Sequence, residues 1–105
     1  MDEVFKALAD PSRRDILDRL RDRSGRTLGD LCEGLAMSRQ AASKHLTTLE
    51  RANLVVTRWR GRQKLHYLNP VPIQQISDRW IGRFARMRTE ALVELKQALE
   101  EEQND

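Results

Sequence analysis

Apolar side chains recur along this chain with two different periods, and the changes of period divide it into elements. Val4, Phe5 and Leu8 are spaced as on one face of a short helix, which is interrupted at "ADPS". Asp10 can cap a second helix whose first turn accepts Pro11, and Ile16, Leu17 and Leu20 mark its buried side until "RSGR" ends it. Thr27 is the next capping residue. It opens a short helix with Leu28, Leu31 and finally Cys32 turned inward and Gly34 near its end, and "GLAM" makes the turn. Ser38 then caps a helix running to about Ala52, which buries Ala42, Leu46 and Leu49 at spacings of four and three. Two helices joined by a tight glycine-containing turn predict a helix-turn-helix.

The period falls to two in "LVVTRWRGRQKLHYL". Leu54 and Val56 alternate on one arm and Leu65 and Tyr67 on the other, around Arg60-Gly61-Arg62, which predicts a β-hairpin over about 54–68 with His66 on its surface. "NPVP" breaks that pattern. From about Val71 the helical period returns in Ile73, Ile76, Trp80, Phe84, Met87, Ala91, Leu95 and Leu99. A continuous helix over about 71–102 would be roughly 48 Å long at 1.5 Å per residue, longer than a domain of this size is wide. Its apolar stripe therefore calls for a second chain. Gly82 offers a place for a kink or a close crossing, and the acidic "EEEQND" tail is expected to fray. The fold class expected is mainly α with a small β-hairpin.

Length and composition narrow the picture further. The 105 residues suffice for one small domain with a limited core of its own. A single cysteine, Cys32, permits no intrachain disulfide, the acidic N-terminus does not suit a signal peptide, and no apolar run is long enough to span a membrane. A cytoplasmic protein with no membrane partner is expected.

The net charge of +3 hides an uneven distribution. Residues 38–66 hold seven Lys/Arg against one acid, whereas residues 1–37 and 94–105 are net acidic. That excess coincides with the second helix of the helix-turn-helix and with the hairpin. In such a motif the second helix lies in the DNA major groove with its N-terminal residues nearest the base edges. Ser38, Arg39, Gln40, Ser43 and Lys44 occupy that end here, with His45 and Thr47 following on the helix. Arg and Lys suit guanine O6 and N7, Gln suits adenine, and Ser reaches bases or phosphates. Arg58, Arg60, Arg62 and Lys64 on the hairpin supply what a wing reaching phosphates or a minor groove requires. The expected partner is double-stranded DNA.

Three segments, "FKALADPSRRDILDRL", "LCEGLAMSRQAASKHLTTLERANLV" and "RWRGRQKLHYLNP", together resemble the ArsR/SmtB family of bacterial winged helix-turn-helix repressors. The match spans roughly residues 2–80, with the long C-terminal helix also in the expected place. The resemblance implies a winged helix-turn-helix with a recognition helix over about 38–52, a wing over about 54–68 and a dimerisation helix over about 71–102. It also implies a homodimer paired through its first and last helices, by Val4, Phe5 and Leu8 with Ile76, Trp80, Phe84, Met87, Ala91 and Leu95, on an inverted repeat in a promoter, often its own. Two recognition helices related by a two-fold axis should read half-sites about 34–36 Å apart.

Many members of that family release DNA when a metal binds a Cys-x-Cys pair before the turn or Asp, His and Glu ligands in the last helix. Here the matching segment is "DLCEGL", with no second thiolate, and both histidines, His45 and His66, precede the last helix. The four converging ligands that zinc prefers are not supplied, so no metal or cofactor is expected and the metal-independent branch is the better match. Cys32 reads as a small buried apolar residue, with a metal- or redox-responsive role as the alternative. Trp59, Trp80, Phe84 and Met87 could alternatively line an apolar pocket at a dimer interface. An enzyme would need an acid/base pair, an activated nucleophile or a phosphate-cradling loop, and the sequence offers none. A competing non-enzymatic reading is a protein-interaction module that docks a partner on the C-terminal amphipathic helix. It leaves the basic excess on helix and hairpin without a use.

Overall fold

In a computed structural model, which describes residues 1–104, the chain divides into a compact unit formed by residues 1–72 and a second unit from Ile73 onward. The first contains α1 (Asp2–Leu8), α2 (Pro11–Asp22), α3 (Leu28–Cys32) and α4 (Arg39–Arg51), followed by strands β1 (Val55–Arg60) and β2 (Gln63–Leu68). Helix α5 (Val71–Ile76) leads into a π-helical turn, Ser77–Ile81, and then α6 (Gly82–Asn104). The N-caps fall where the sequence places them. Asp10 Oδ1 accepts from the backbone N–H groups of Ser12 and Arg13, at 2.8 and 3.2 Å. Thr27 accepts from Asp30 N–H and Ser38 from Ala41 N–H, both at 3.1 Å.

The helix C-termini are closed by side chains that periodicity does not reveal. Arg13 donates through Nε to the Ala7 carbonyl (2.8 Å) and through Nη2 to that of Lys6 (2.9 Å), while Arg14 reaches Leu8 O (2.8 Å). These bonds satisfy the free carbonyls at the end of α1 and tie it to the start of α2. Arg19 does the same for the turn between α3 and α4, donating to Glu33 O (3.1 Å) and Gly34 O (2.7 Å). Gly34 itself has φ +85°, a conformation that disfavours a side chain.

The core of this unit holds Ile16, Leu17 and Leu20 from α2, Leu31 from α3, Ala42, Leu46 and Leu49 from α4, and Leu54 and Val55 at the start of the hairpin. Val4 and Ala7 of α1 are also buried in it. Val4 is thus a core residue of the single chain, which corrects its assignment to a surface between chains. Phe5, on the other side of α1, is 44% exposed, and Leu8 is half-buried.

The hairpin is antiparallel in the register Val55↔Leu68, Thr57↔His66, Trp59↔Lys64 and Arg60↔Gln63, closed by Gly61-Arg62. Gly61 has φ +62°, as the first central residue of a type II′ turn requires. The buried face is the one opposite to that expected. Val55 and His66 are buried, whereas Val56 is exposed and Leu65 and Tyr67 are half-buried. The reason lies outside the hairpin: Arg26 pairs with His66 as an isolated bridge, Arg26 N–H to His66 O at 3.2 Å and His66 N–H to Arg26 O at 2.8 Å. His66 Nδ1 lies 2.9 Å from the same Arg26 carbonyl. A carbonyl can only accept, so Nδ1 carries the proton there. The expected surface position of His66 is overturned by these contacts, which leave it 4% exposed.

From Val71 onward the chain is helical to Asn104, covering the expected span. The π turn ends immediately before Gly82, and a Cβ at Gly82 would stand 3.5 Å from the Ser77 carbonyl, an ordinary contact. The acidic tail, expected to fray, is helical through Asn104; Asp105 lies outside the described residues.

The Asp10 carboxyl titrates below its ordinary value of 3.8, chiefly because the Arg13 backbone N–H bonds to the charged form, against a smaller opposing effect of burial. A depressed folded value means that the cap stabilises the fold above about pH 3.8 and ceases to as pH falls through the lower folded value. Asp10→Asn should therefore flatten the acid limb of stability against pH in thermal melts between pH 2 and 6, and an unchanged limb would show that the cap is not ionically reinforced.

Candidate nucleic-acid interface

Burial of Ala42, Leu46 and Leu49 fixes the roll of α4 about its axis. Arg39, Gln40, Ser43, Lys44 and Thr47, spaced on the opposite side, are all exposed. The same packing directs the N-terminus of α4 outward with its cap, Ser38, exposed beside it, where partial positive charge favours a phosphate. Two of the hydroxyls are already engaged. Ser38 Oγ accepts the cap bond, and Thr47 Oγ1 donates back to the Ser43 carbonyl at 3.1 Å.

The hairpin faces α4 across a concavity of about 430 Å³, floored by Thr27, Leu28 and Gly29 at the start of α3. Arg39, Ser43 and Thr47 line it from the helix; Trp59, Arg62 and Lys64 line it from the wing. Glu50 joins the two walls. Its Oε1 lies 3.3 Å from Lys64 Nζ and 3.9 Å from His66 Nε2. The Lys64 ammonium is thereby held against the last turn of α4 instead of projecting outward.

The comparisons with known proteins agree with this geometry. A helix-turn-helix domain model matches residues 8–58. The transcriptional repressor SdpR of Bacillus subtilis is 36% identical, with 80% of this chain and 91% of SdpR covered. The HTH-type transcriptional regulator Rv2034 of Mycobacterium tuberculosis is 33% identical, with 99% of this chain and 92% of its own covered. An ArsR-like transcriptional regulator from Rhodococcus sp. RHA1 superposes with a TM-score of 0.73 at 30% identity, over 94% of this chain and 89% of that one. The chain belongs to the ArsR family of winged helix-turn-helix regulators. It is accordingly a DNA-binding transcriptional regulator, in which α3 and α4 form the helix-turn-helix and β1–β2 the wing.

Within this ArsR-family frame the residues singled out in the sequence separate into groups. Ser38, Arg39, Gln40, Ser43, Lys44 and Thr47 share the open side of α4, and Arg62 and Lys64 line the concavity from the wing. Arg58 and Arg60 do not join them. They pair with Leu65 and Gln63, on the face of the hairpin opposite to Trp59 and Lys64, because side chains alternate along a strand. His45 is half-buried, with Nδ1 3.4 Å from Arg13 Nη1, so it meets α2 and stands off the exposed row. The sequence signal missed was Arg13 itself, three residues from Asp10 and close enough to α1 to cap it.

Trp59 lines the wing concavity, where an apolar pocket between chains had been one alternative. Cys32 is half-buried, and the described residues contain no group of three or more His, Cys, Asp and Glu side chains placed to hold a metal ion. No helix among them is long and apolar enough to cross a membrane.

The Glu50–Lys64 pair is partly exposed, with side chains 29% and 40% accessible, so it contributes no more than about 1 kcal/mol to stability. Its effect on DNA should be larger. Glu50→Gln removes the acid that faces the concavity and frees Lys64 for a phosphate, and it should tighten binding severalfold and steepen the salt slope by about one unit, measured by fluorescence anisotropy at several salt concentrations. An unchanged slope would mean that Lys64 is not withheld by Glu50.

Proposed function

We propose that this ArsR-family chain is a homodimeric repressor that occludes a promoter by reading an inverted repeat with α4 and gripping the flanking phosphates with its wing. The observation that carries this reading is the uncovered row Arg39, Gln40, Ser43 and Lys44 at the capped end of α4, across the concavity from Arg62 and Lys64. Arg39 and Lys44 are the donors for guanine O6 and N7, Gln40 is the residue for adenine, and Arg62 holds a phosphate, while Lys64 is held back by Glu50. Arg58 and Arg60, on the outer face of the hairpin, add positive potential, and His45 is left out of the contact set.

Pairing of two chains is supported by large apolar side chains that are exposed in the single chain. On the second unit Trp80, Phe84, Met87 and Leu95 are exposed, Phe84 to 69%, and Ile76 is half-buried. On the first unit Phe5 is exposed on α1. An exposed apolar stripe of this extent marks an interaction surface, and a second copy of the same stripe is a complementary cover for it. A two-fold dimer then sets half-sites about 34–36 Å apart, so the DNA is palindromic. The relative SdpR, named as a transcriptional repressor, supports repression as the outcome of binding. The single thiol at Cys32 and the lack of any histidine after His66 support regulation without a bound metal.

The test is anisotropy of labelled duplex from upstream of the protein's own gene against a scrambled duplex. Arg39→Ala and Lys44→Ala should weaken the preferred duplex by about 1–3 kcal/mol and erode the preference, while Arg62→Ala should weaken both duplexes alike and lower the salt slope by about one unit. Retained affinity in all three variants would overturn the surface. In sedimentation velocity at micromolar concentration the wild type should run as a dimer and Phe84→Glu as a monomer. A monomeric wild type would remove the basis for a palindromic operator.

A further inference from the structure

Trp59 is the most exposed large apolar side chain of the first 72 residues, at 68%, and the DNA-recognition set drawn from charge and helix position does not include it. A lone exposed apolar residue needs no explanation by itself. Three facts set this one apart. It projects from the same hairpin face as Lys64, its direct cross-strand partner, and His66, which the fold buries against Arg26 and Glu50. It lines the same concavity as Arg39, Thr47 and Arg62, so it stands among the cations of the DNA-facing surface. It also sits two positions before Gly61 on β1, paired through Lys64 with β2, the strand that the Arg26–His66 bridge ties to the rest of the first unit, so the indole is carried on a braced hairpin.

From this placement we infer that Trp59 is a DNA contact of the wing: its ring packs flat on a deoxyribose of the strand flanking the half-site and its Nε1–H donates to the adjacent phosphate. The inference rests on the reading that the concavity faces DNA. The chemistry fits an amphipathic ring, which offers a large apolar face and one donor at its edge. Deoxyribose is the apolar part of the DNA backbone, and a sugar contact carries no base information, so Trp59 positions the wing and leaves sequence reading to α4. Because the indole is uncharged it displaces no counterion, which separates its contribution from that of Arg62.

The decisive comparison uses the full-length protein with Trp59→Ala, Trp59→Phe, Arg39→Ala and Arg62→Ala on the native and scrambled duplexes. Trp59→Ala should bind both duplexes about tenfold more weakly with the salt slope unchanged, and Trp59→Phe should fall between it and the wild type. Saturating DNA should quench tryptophan emission in the wild type, and that quench should be missing in Trp59→Phe, where Trp80 alone emits. Thermal melts check that Trp59→Ala is folded; if it is not, the emission comparison with Trp59→Phe decides. Equal affinity of Trp59→Ala and wild type, or equal quenching in wild type and Trp59→Phe, overturns the inference, as does a loss confined to the native duplex, which would mean base reading. If Arg39→Ala and Arg62→Ala also keep full affinity, it is the DNA-facing reading of the concavity that fails; if they weaken binding while Trp59 is silent, the failure belongs to Trp59 alone.

Discussion

Three apolar side chains on one helix, Ala42, Leu46 and Leu49, are buried, and the placement of the first unit's exposed faces follows from the way they are covered. They share one core with Ile16 and Leu20 from α2, Leu31 from α3, and Leu54 and Val55 where the hairpin begins. A domain this small has no second core to fall back on, so the roll and the tilt of α4 are set by this single cluster. Its polar side has no alternative but to face solvent. The exposed polar face of α4 is in that sense a by-product of packing: residues at 39, 40, 43, 44 and 47 are presented because those at 42, 46 and 49 are not.

Polar contacts then adjust what the core has placed. Arg13, Arg14 and Arg19 donate to the carbonyls that end α1 and α3, binding consecutive helices to each other without enlarging the apolar core. Each of these bonds involves a charged donor, the stronger class of hydrogen bond, and each closes a helix end that would otherwise rely on water. His66 and Glu50 have the same role for the wing. The Arg26–His66 bridge adds one residue of ladder to the outer side of β2, and Glu50 reaches from α4 to Lys64, so the hairpin is held from two elements at once. A hairpin held this way moves as one body with α4, so a ligand that touched both would have less ordering left to be done on binding.

The second unit shows the opposite balance. Its helix is continuous from Val71 to Asn104 apart from the local widening at Ser77–Ile81, yet its large apolar side chains are open to solvent in the single chain. The first unit is thus built by its own core, whereas the second keeps its large apolar side chains on its surface.

Much of this was legible in the residues. The helix starts at Asp10, Thr27 and Ser38 were fixed by capping chemistry that acts within three residues, the turn at Gly61 by a backbone preference, and the open face of α4 by a period of 3.6. The basic surplus in residues 38–66 was visible from charge alone, and it falls on α4 and the hairpin. What the sequence could not determine was the choice between the two faces of the hairpin. Alternation gives a face only up to a shift of one residue, and a histidine counts as polar until a carbonyl and a carboxylate are brought to both sides of its ring. The Arg26 carbonyl and the Glu50 carboxylate lie 40 and 16 positions from His66, and only the tertiary fold could deliver them. The same decision buried Val55 in place of Val56, turned Arg58 and Arg60 to the outer face, and left Trp59 in the basic concavity. Val4 went to the core and His45 to Arg13 for the same physical reason: a side chain's surroundings are set by what other elements pack against it, and local spacing carries no record of them.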